Sequence, residues 1–303
     1  MDGKSARTIP NFFIIGAPKC GTTALYEYLK LHPQVFMPAV KEPHFFADDL
    51  HRRVREVRGE QDYERLFKHC GPQHLAVGEA SPLYMASATA LANIKSYNPS
   101  SRVIAMVRNP LELVRSWHHM LTTLQFEPEL DCQIAWELQE TRRSQPTPRF
   151  CLDPIMLQYR QVASVGRQVE RVYAMFPAEQ VMTIVFDDFV ADTQAVYEQV
   201  LSFLNVPSDH RTEFPRINEA TKPKSQWLHS MLNRERVPQA ARIAGRRLGL
   251  HKLHAFVTGL NKVKEKGPPL ALDFRRRLAI EFQGDVESLS HRLGRDLSPW
   301  LAS

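Results

Sequence analysis

Short apolar runs alternate with amphipathic segments along most of the chain. Runs of mostly apolar residues lie at 11–15, 75–77, 102–107 and 181–186, which is typical of buried strands. Between these runs apolar residues recur every three or four positions, the spacing of a helix that buries one face. We predict helices over residues 22–31, 85–96, 111–123, 155–176, 192–204 and 273–293.

Strands that alternate with helices predict a parallel sheet covered on both faces. We therefore expect an α/β fold of P-loop type, with three α/β/α layers around a central parallel sheet and right-handed crossovers. Residues 125–148 are polar and interrupted by prolines, which predicts a loop or lid. A length of 303 residues suits a single domain over 1–303, with residues 1–10 flexible.

Composition excludes several classes of protein. The chain is 43% hydrophobic and 24% charged, which is ordinary for a soluble globular protein. No apolar run reaches the roughly 18 residues of a membrane span, and the first residues lack the apolar core of a signal peptide. The four cysteines, Cys20, Cys70, Cys132 and Cys151, form no C-x-x-C pair. We predict reduced thiols and a cytoplasmic location.

A net charge of +6 favours an anionic ligand or acceptor. Lysines and arginines are concentrated in residues 234–266. Charge alone does not distinguish a nucleic acid from a phosphorylated cofactor or an acidic surface.

The segment Gly16-Ala-Pro-Lys-Cys-Gly-Thr-Thr23 lies between a predicted strand and a predicted helix. Backbone N–H groups and a helix N-terminus in this context favour an anion. The spacing from Gly16 to Gly21 is that of a Walker A loop, but threonines follow it and the lysine, Lys19, lies inside the loop. The segment predicts an anion cradle without the usual triphosphate lysine, formed by Lys19, Cys20, Gly21, Thr22 and Thr23.

Arg108 ends the clearest predicted strand, and Ser116 follows eight residues later in the next helix. The carboxyl ends of parallel strands meet at one edge of a sheet, so we expect Arg108 near the Gly16–Thr23 loop. A guanidinium fork with a hydroxyl suits a phosphate monoester. The two segments together predict two anion sites at one edge.

These segments resemble the sulfotransferases that use 3′-phosphoadenosine 5′-phosphosulfate (PAPS). Residues 12–25 resemble their 5′-phosphosulfate loop, and Arg108-Asn-Pro-Leu-Glu-Leu-Val-Arg-Ser116 resembles their 3′-phosphate motif. Residues 31–35 and 41–46 (LHPQV and KEPHFF) are similar to the glycan-modifying branch, which includes heparan sulfate sulfotransferases. Residues 294–300 (GRDLSPW) are similar to the ending of many bacterial members.

The resemblance implies transfer of a sulfuryl group from PAPS to a hydroxyl or amine of a saccharide or small-molecule acceptor. PAP (3′-phosphoadenosine 5′-phosphate) is then the product, and no metal, nucleic acid or membrane span is expected. Lys19 would stabilise the leaving oxygen, and Thr22 and Thr23 would hold the 5′-phosphate. The segments 125–149 and 234–266 are expected to shape the acceptor site.

The resemblance places a general base at Glu42. Pro43, Phe45 and Phe46 are expected to desolvate this carboxyl group and raise its pKa. His44 in the same segment is the rival base, while His118 and His119 are expected to be structural or to face substrate. The sequence does not decide between Glu42 and a histidine.

Two further segments match the family less fully. Glu79-Ala-Ser-Pro-Leu-Tyr84 resembles a Glu-Lys-x-Pro element, with Ala80 in place of the lysine, and Glu79 is expected to line the acceptor site. Residues 218–225 occupy the position of a basic loop that closes over the nucleotide. Lys222 and Lys224 are candidate 3′-phosphate ligands there, and a solvated surface loop is the equal alternative.

Three other functions fit parts of the pattern. A non-catalytic protein that binds PAP or another nucleotide would need neither Lys19 nor Glu42. A P-loop kinase would need a lysine where Thr22 stands and a magnesium carboxylate where Asn109 follows the strand. A basic nucleic-acid-binding module lacks its characteristic aromatic and basic sheet motif.

Overall fold

A parallel β-sheet forms the centre of the molecule. The computed structural model describes residues 9–217, 221–223, 262–264 and 267–302, with the backbone alone at 221–223 and 262–264. Within them the sheet has five strands in the order β2-β3-β1-β4-β5, and all paired strands are parallel. The strands are β1 (Phe12–Gly16), β2 (Val35–Phe36), β3 (Ala76–Ala80), β4 (Arg102–Val107) and β5 (Val181–Val185).

The apolar runs become the central strands because both faces of the sheet are covered. Every residue from Phe12 to Ile15 and from Val103 to Val107 is fully buried. Continuous apolar runs, rather than alternating ones, are what parallel strands buried on both faces require. Ile14 pairs with Ile104, so the carboxyl ends of β1 and β4 lie side by side.

Helices connect the strands and form the two outer layers. They are α1 (Thr22–Lys30), α2 (Glu60–Arg65), α3 (Ala90–Tyr97), α4 (Pro110–Thr123), α5 (Cys132–Glu137), α6 (Tyr159–Ala163), α7 (Val165–Met175), α8 (Phe186–Ala191), α9 (Thr193–Phe203) and α10 (Leu272–Leu293). Right-handed crossovers place α1 on one face and α3 on the other. Tyr28 of α1 packs on Phe189 of α8, and α10 packs on α7 and α4. The predicted three-layer α/β/α fold is confirmed.

The prediction of one helix over residues 155–176 is wrong. A 3₁₀ helix (Pro154–Leu157), α6 and α7 replace it, with breaks at Gln158 and Ser164. At the second break the side chain of Asp285, from α10, accepts hydrogen bonds from the N–H groups of Gly166 and Arg167, both at 2.8 Å. A distant carboxylate thus caps a helix start that the local apolar spacing conceals.

The polar segment 125–148 also differs from the prediction. It contains α5 and a 3₁₀ helix (Thr141–Arg143), and it is fixed by the buried carboxylate of Glu127. Arg142 donates to both oxygens of Glu127, at 2.6 and 2.8 Å, and Tyr159 donates to it at 2.6 Å. The polar composition of the segment therefore reflects internal ion pairing, because a buried carboxylate needs such partners.

Other elements were missed or displaced. The helix predicted from residue 85 begins at Ala90, after a 3₁₀ helix (Pro82–Tyr84). The two-residue β2 and the short α2 and α8 have too few residues to show a period. The antiparallel pair β6 (Thr221–Pro223) and β7 (Lys262–Lys264) was not predicted either. No helix in the described ranges has the length and apolar content needed to cross a bilayer.

Candidate functional site

The loop between β1 and α1 is held at the carboxyl end of the sheet. The N–H of Ala17 donates to the carbonyl of Met106 in β4 at 2.6 Å, which ties the loop to the neighbouring strand. Gly21 caps α1 with φ of 87°, a left-handed conformation that glycine adopts without strain. A Cβ at Gly21 would lie 3.2 Å from the rings of Phe186 and Phe189. The backbone of the loop is therefore packed against α8.

The predicted cradle residues offer backbone donors and hydroxyls. Cys20 is fully buried, and burial raises the pKa of its thiol to about 12. The thiol is therefore neutral and donates weakly to the carbonyl of Pro18 at 3.4 Å. The group of Cys20 that can bind an anion is its backbone N–H. Thr22 is buried and Thr23 half-buried, at a helix start whose first N–H groups have no acceptor within the helix.

Arg108 joins the two predicted anion motifs. It follows β4, and its Nη1 donates to the carbonyl oxygen of Lys19 at 3.3 Å. Its guanidinium lies over the ring of Phe186, 4.7 Å from the centroid, and 4.0 Å from the carboxylate of Glu112. The predicted proximity of the Arg108 strand end and the first loop is what the structure shows.

Lys19 adds a second positive charge beside Arg108. Burial and then the charge of Arg108 hold the pKa of the Lys19 ammonium below its ordinary value. Lys19 itself has φ of 64°, in the left-handed region that non-glycine residues avoid. Two crowded cations beside unpaired helix amides form a local environment that an anion would stabilise.

Ser116 lies one turn beyond Glu112 on α4, and Arg108 lies just before the start of that helix. The three positions are four residues apart, the spacing at which helical side chains meet. Ser116 is half-buried, so its hydroxyl is available beyond Glu112. Glu112 accepts from Arg115 at 2.6 Å and from Arg275 at 3.4 Å. Arg115 and Arg275 therefore add positive charge around Glu112, next to Arg108.

The lysines predicted to close over the nucleotide are only partly described. Lys222 lies in β6, opposite Val263 of β7, and only its backbone is described. Lys224 lies outside the described residues, as does most of the segment 234–266. Their roles stay predictions.

The carboxyl-terminal residues support the Arg108 loop in a way that was not predicted. Asn109 caps α4 by accepting from the N–H of Leu111 at 2.9 Å, and its Nδ2 donates to the carbonyl of Trp300 at 2.8 Å. The indole Nε1 of Trp300 donates to Asp187, at the start of α8, at 3.0 Å. The motif GRDLSPW was visible in the sequence, but nothing in it pointed to these partners.

Glu42 lies at the carboxyl end of β3, beside the first loop. Its N–H donates to the carbonyl of Ala80 at 3.0 Å, and its carboxylate accepts a hydrogen bond from Lys41. Burial raises the pKa of Glu42, but the charges of Lys41, His44 and Lys19 outweigh it and hold the pKa below its ordinary value. The predicted upward shift is wrong, because the surrounding positive charges together outweigh the effect of burial.

The histidines differ from Glu42 in exposure. Glu42 keeps 44% of its side chain exposed, whereas His44 is buried and burial lowers its pKa. A buried neutral imidazole is less accessible to an acceptor than Glu42. His118 is also buried, with Nε2 3.0 Å from the carbonyl of Glu129, and His119 packs against Gly267. The contacts of His118 and His119 are therefore structural.

Glu79 is fully buried, which excludes the predicted position lining the acceptor site. Its carboxylate accepts from the hydroxyls of Ser81 and Tyr84, both at 2.7 Å, and of Tyr63 at 3.3 Å. Burial raises its pKa to about 7. No group of three or more His, Cys, Asp or Glu in the described part of the chain is arranged to hold a metal ion.

Comparison with known proteins assigns a chemistry to this geometry. The family model for the sulfotransferase domain matches residues 10–239. Human carbohydrate sulfotransferase 15 is 32% identical over 150 residues, which cover 36% of this chain and 27% of that protein. Mouse heparan sulfate glucosamine 3-O-sulfotransferase 5 is 25% identical over 217 residues, 70% of this chain and 56% of that protein.

A solved structure extends the likeness over nearly the whole chain. The crystal structure of a sulfotransferase from Alicyclobacillus acidocaldarius aligns with a TM-score of 0.71 and 26% identity. The alignment covers 97% of this chain and 100% of that one. By contrast, this chain spans less than half the length of carbohydrate sulfotransferase 15 from human, mouse or rat.

Proposed function

This chain belongs to the sulfotransferase family, and from that premise we propose that it transfers a sulfuryl group from PAPS to a hydroxyl or amine of a saccharide acceptor. One observation carries the proposal: the hydrogen bond from Arg108 to the Lys19 carbonyl joins two anion motifs at one sheet edge. PAPS has an anionic group at each end, and each motif offers a site for one of them.

The residues present fit such a donor. The amides of Cys20 and Gly21 and the first turn of α1 would hold the 5′-phosphosulfate, with the hydroxyls of Thr22 and Thr23. Arg108 and Ser116 would hold the 3′-phosphate. The packing of Gly21 against Phe186 supports this assignment, because a larger residue would displace the loop backbone that must approach the ligand.

Sulfuryl transfer requires an activated acceptor, an in-line approach to sulfur and stabilisation of the charge on the leaving phosphate. Glu42 and Lys19 supply the first and the third of these. When bound, PAPS supplies a sulfuryl group whose bond to the 5′-phosphate oxygen breaks as the acceptor oxygen bonds to sulfur. Glu42 is ionised because its pKa is lowered, and its carboxylate receives the proton of the acceptor hydroxyl. Lys19 stabilises the negative charge that develops on the phosphate oxygen.

The surface beside Glu42 supports an acidic saccharide as acceptor. Residues 51–58 carry four arginines and pack on the Glu42 segment, since Val57 donates to the carbonyl of Pro43 at 3.3 Å. Arg53 donates to the carbonyl of Arg149 at 3.2 Å, which brings a fifth arginine to this surface. We call Arg52, Arg53, Arg55, Arg58 and Arg149 the arginine rim.

The arginine rim has no direct ion pair among the described residues, although Asp48 lies near enough to Arg55 for their charges to interact. Arg53, Arg55 and Arg58 donate to backbone carbonyls, and none of the five guanidinium groups forms an ion pair with a carboxylate of the described chain. Many arginines elsewhere form such pairs: Arg65, Arg115, Arg142, Arg143, Arg160, Arg211, Arg275, Arg276, Arg277, Arg292 and Arg295. Carboxylate or sulfate groups on the acceptor would supply the missing charge.

Donor binding and transfer test the proposal separately. We expect calorimetry to detect PAP binding by the wild-type chain, and Arg108→Ala to weaken it by roughly 10- to 100-fold through the loss of charged hydrogen bonds. Lys19→Ala should lower transfer from labelled PAPS by roughly 10²- to 10³-fold. Lys30→Ala, at the exposed end of α1, is the control that should change neither.

Two outcomes would contradict the proposal. A chain that shows no affinity for PAP is not a PAPS-dependent enzyme. A chain that binds PAP but transfers no sulfuryl group to any of a panel of neutral and uronic-acid-containing oligosaccharides is a nucleotide-binding protein instead. Phosphoryl transfer that depends on ATP and magnesium would favour the kinase alternative.

The predicted cytoplasmic location is part of the same proposal. All four cysteines are unpaired thiols, which supports a reducing compartment. Fractionation of the producing cells, with detection of the chain in each fraction, tests it.

A further inference from the structure

The Glu42 segment has an unfavourable backbone conformation. Glu42 has φ of 60° and His44 has φ of 48°, and neither is a glycine. A non-glycine residue in this region costs on the order of 1–3 kcal/mol and persists only where the surroundings enforce it. The strained segment Glu42–Phe46 presents the proposed base, so the contacts that enforce its shape affect the chemistry.

Two hydroxyl groups connect this segment to a buried carboxylate. The N–H of His44 donates to Ser81 Oγ at 3.1 Å, and Ser81 Oγ donates to Glu79 Oε2 at 2.7 Å. The N–H of Phe46 donates to the Tyr84 hydroxyl at 3.3 Å, and that hydroxyl donates to Glu79 Oε1 at 2.7 Å. Both relays end on the same side chain of β3.

The carboxylate fixes the direction of both relays. A hydroxyl has one hydrogen, so a hydroxyl that donates to Glu79 turns its lone pairs toward the backbone amide and accepts from it. Above its pKa of about 7 the Glu79 carboxylate is ionised and only accepts, so it orients Ser81 and Tyr84 at the same time. No neutral side chain of similar shape accepts at both oxygens.

A third contact joins Glu79 to the same segment. The Tyr63 hydroxyl donates to Glu79 Oε1 at 3.3 Å, and the ring of Tyr63 stacks on Phe45 with centroids 4.4 Å apart and planes at 12°. The charged group of Lys41 also lies near enough to lower the pKa of Glu79, against the larger effect of burial. The carboxylate thus interacts with several residues that hold or flank the Glu42–Phe46 segment.

We propose that Glu79 is a positioning residue that holds the strained Glu42–Phe46 segment through the Ser81 and Tyr84 relays. It is not a catalytic residue, because its side chain is fully buried and has no access to an acceptor. The consequence for turnover rests on the proposed function, whereas the consequence for the backbone amides does not.

Hydrogen exchange of single amides tests the positioning role without any activity measurement. We expect Ser81→Ala to speed exchange of the His44 amide at least tenfold and to leave Phe46 less affected, because only one relay is broken. Tyr84→Phe should give the opposite pattern. Glu79→Gln should speed exchange of at least one of the two amides, since one carboxylate oxygen becomes an NH₂ donor and the remaining oxygen can orient only one relay.

Ser101→Ala is the matched control for the serine variant. Ser101 is also fully buried, and its hydroxyl donates to the carbonyl of Asn98 at 2.7 Å, away from the Glu42 segment. It should not change exchange at His44 or Phe46. Equal exchange of the His44 amide in the wild type and in Ser81→Ala would overturn the proposal, as would equal exchange of Phe46 in Tyr84→Phe.

Kinetics then separate positioning from general destabilisation. Ser81→Ala and Glu79→Gln should lower kcat for sulfuryl transfer by roughly 10- to 100-fold, while the Kd for PAP stays within about twofold. A parallel loss of PAP affinity and kcat would show a structural role and contradict the proposal. If the wild type transfers nothing, the proposed function fails, and the exchange patterns still decide the role of Glu79.

Discussion

At the scale of single residues, Glu42 combines a partly exposed carboxylate with a strongly cationic setting. Lys41 donates to it, and the charges of Lys41, His44 and Lys19 hold its pKa below 4.5 despite burial. Glu42→Gln should lower kcat by roughly 10²- to 10⁴-fold, the usual contribution of a general base, with the Kd for PAP unchanged. Glu179→Gln, which alters an exposed carboxylate in a 3₁₀ helix, is the matched control.

The pH dependence of transfer distinguishes Glu42 from the other candidates. A base with a lowered pKa is active above that pKa and loses activity only as the pH falls through it. The titration of Glu42 should therefore leave kcat level between pH 8 and pH 6, and a decrease near pH 7 that is absent in Glu79→Gln belongs to Glu79. A decrease near pH 6.5 that persists in Glu79→Gln would indicate a histidine base and contradict the role of Glu42.

Glu79 should make stability depend on pH in the opposite sense to most carboxylates. Its pKa is about 7 in the folded chain, against 4.5 for an exposed glutamate, so the folded state holds the proton more tightly. Its contribution is therefore complete below pH 4.5 and is lost as the pH rises through 7, by roughly 3 kcal/mol. Denaturant titrations at pH 5 and pH 8 should show this loss in the wild type.

Comparison with Glu79→Gln isolates that contribution from other titrating groups. The variant lacks the carboxyl group, so its free energy of unfolding should fall less between pH 5 and pH 8 than that of the wild type. The carboxylates of Glu42 and Glu112 have lowered pKa values and act in the other direction in both proteins. Equal changes in the two proteins would show that the pKa of Glu79 is not raised.

At the scale of elements, the 3₁₀ helix Ser298–Leu301 forms hydrogen bonds with both the residue that caps α4 and the start of α8. Trp300 accepts from Asn109 through its carbonyl and donates to Asp187 through its indole. Trp300→Phe keeps the first bond and removes the second, which costs about 1 kcal/mol because Asp187 is exposed and water can replace the indole donor. We expect the Kd for PAP to rise about threefold or more, because Asp187 adjoins Phe186, over whose ring the Arg108 guanidinium lies.

Trp136→Phe is the matched control, since Trp136 of α5 packs against Phe274 and Phe282 of α10. It should lower the melting temperature without changing the Kd for PAP. A Trp300→Phe variant that binds PAP as tightly as the wild type would show that the carboxyl-terminal helix does not position the Arg108 loop.

The elements that the sequence predicted well are those whose signals are local. The strand at 102–107 is a nearly unbroken apolar run, and the helix after it has regular apolar spacing. Arg108 directly follows the strand. The break at Ser164 depends on Asp285, more than one hundred residues away, so local spacing could not show it. The same reason explains Trp300, whose partners lie in two other elements.

In the candidate site, too, the features with local signals were predicted and those that depend on distant residues were not. The Gly16–Thr23 loop and the Arg108–Ser116 segment are contiguous motifs, and their meeting follows from parallel topology. The pKa of Glu42 depends instead on which side chains turn toward it, and apolar neighbours in sequence misled the prediction. The burial of Glu79 depends on Tyr63, Ser81 and Tyr84 converging on it from two segments.

At the scale of the whole molecule, positive charge is distributed unevenly. Ion pairs neutralise Arg115 on α4 and several arginines on α10, whereas the arginine rim beside the Glu42 segment lacks such pairs among the described residues. Charges of one sign on one side of a site raise the local concentration of an oppositely charged ligand. The rim should therefore affect acceptor binding and leave donor binding unchanged.

Replacing two rim arginines tests this distribution. Arg52 and Arg149 are both exposed, and the Arg149 guanidinium lies over the ring of Phe150, 5.6 Å from its centroid. In the double variant Arg52→Ser, Arg149→Ser we expect KM for a uronic-acid-containing oligosaccharide to rise roughly tenfold at low salt. The kcat, the Kd for PAP and the KM for a neutral oligosaccharide should not change.

Salt provides the second arm of the test, because screening weakens exposed charges beyond about 10 Å at 0.1 M. Raising the salt concentration from 50 to 300 mM should increase KM for the acidic oligosaccharide in the wild type and less in the double variant. Arg276→Ser is the matched control, since Arg276 is an exposed arginine paired with Asp273. An unchanged KM for the acidic oligosaccharide in the double variant would contradict the proposal of an acidic acceptor, because the removed arginines are the charges proposed to bind it.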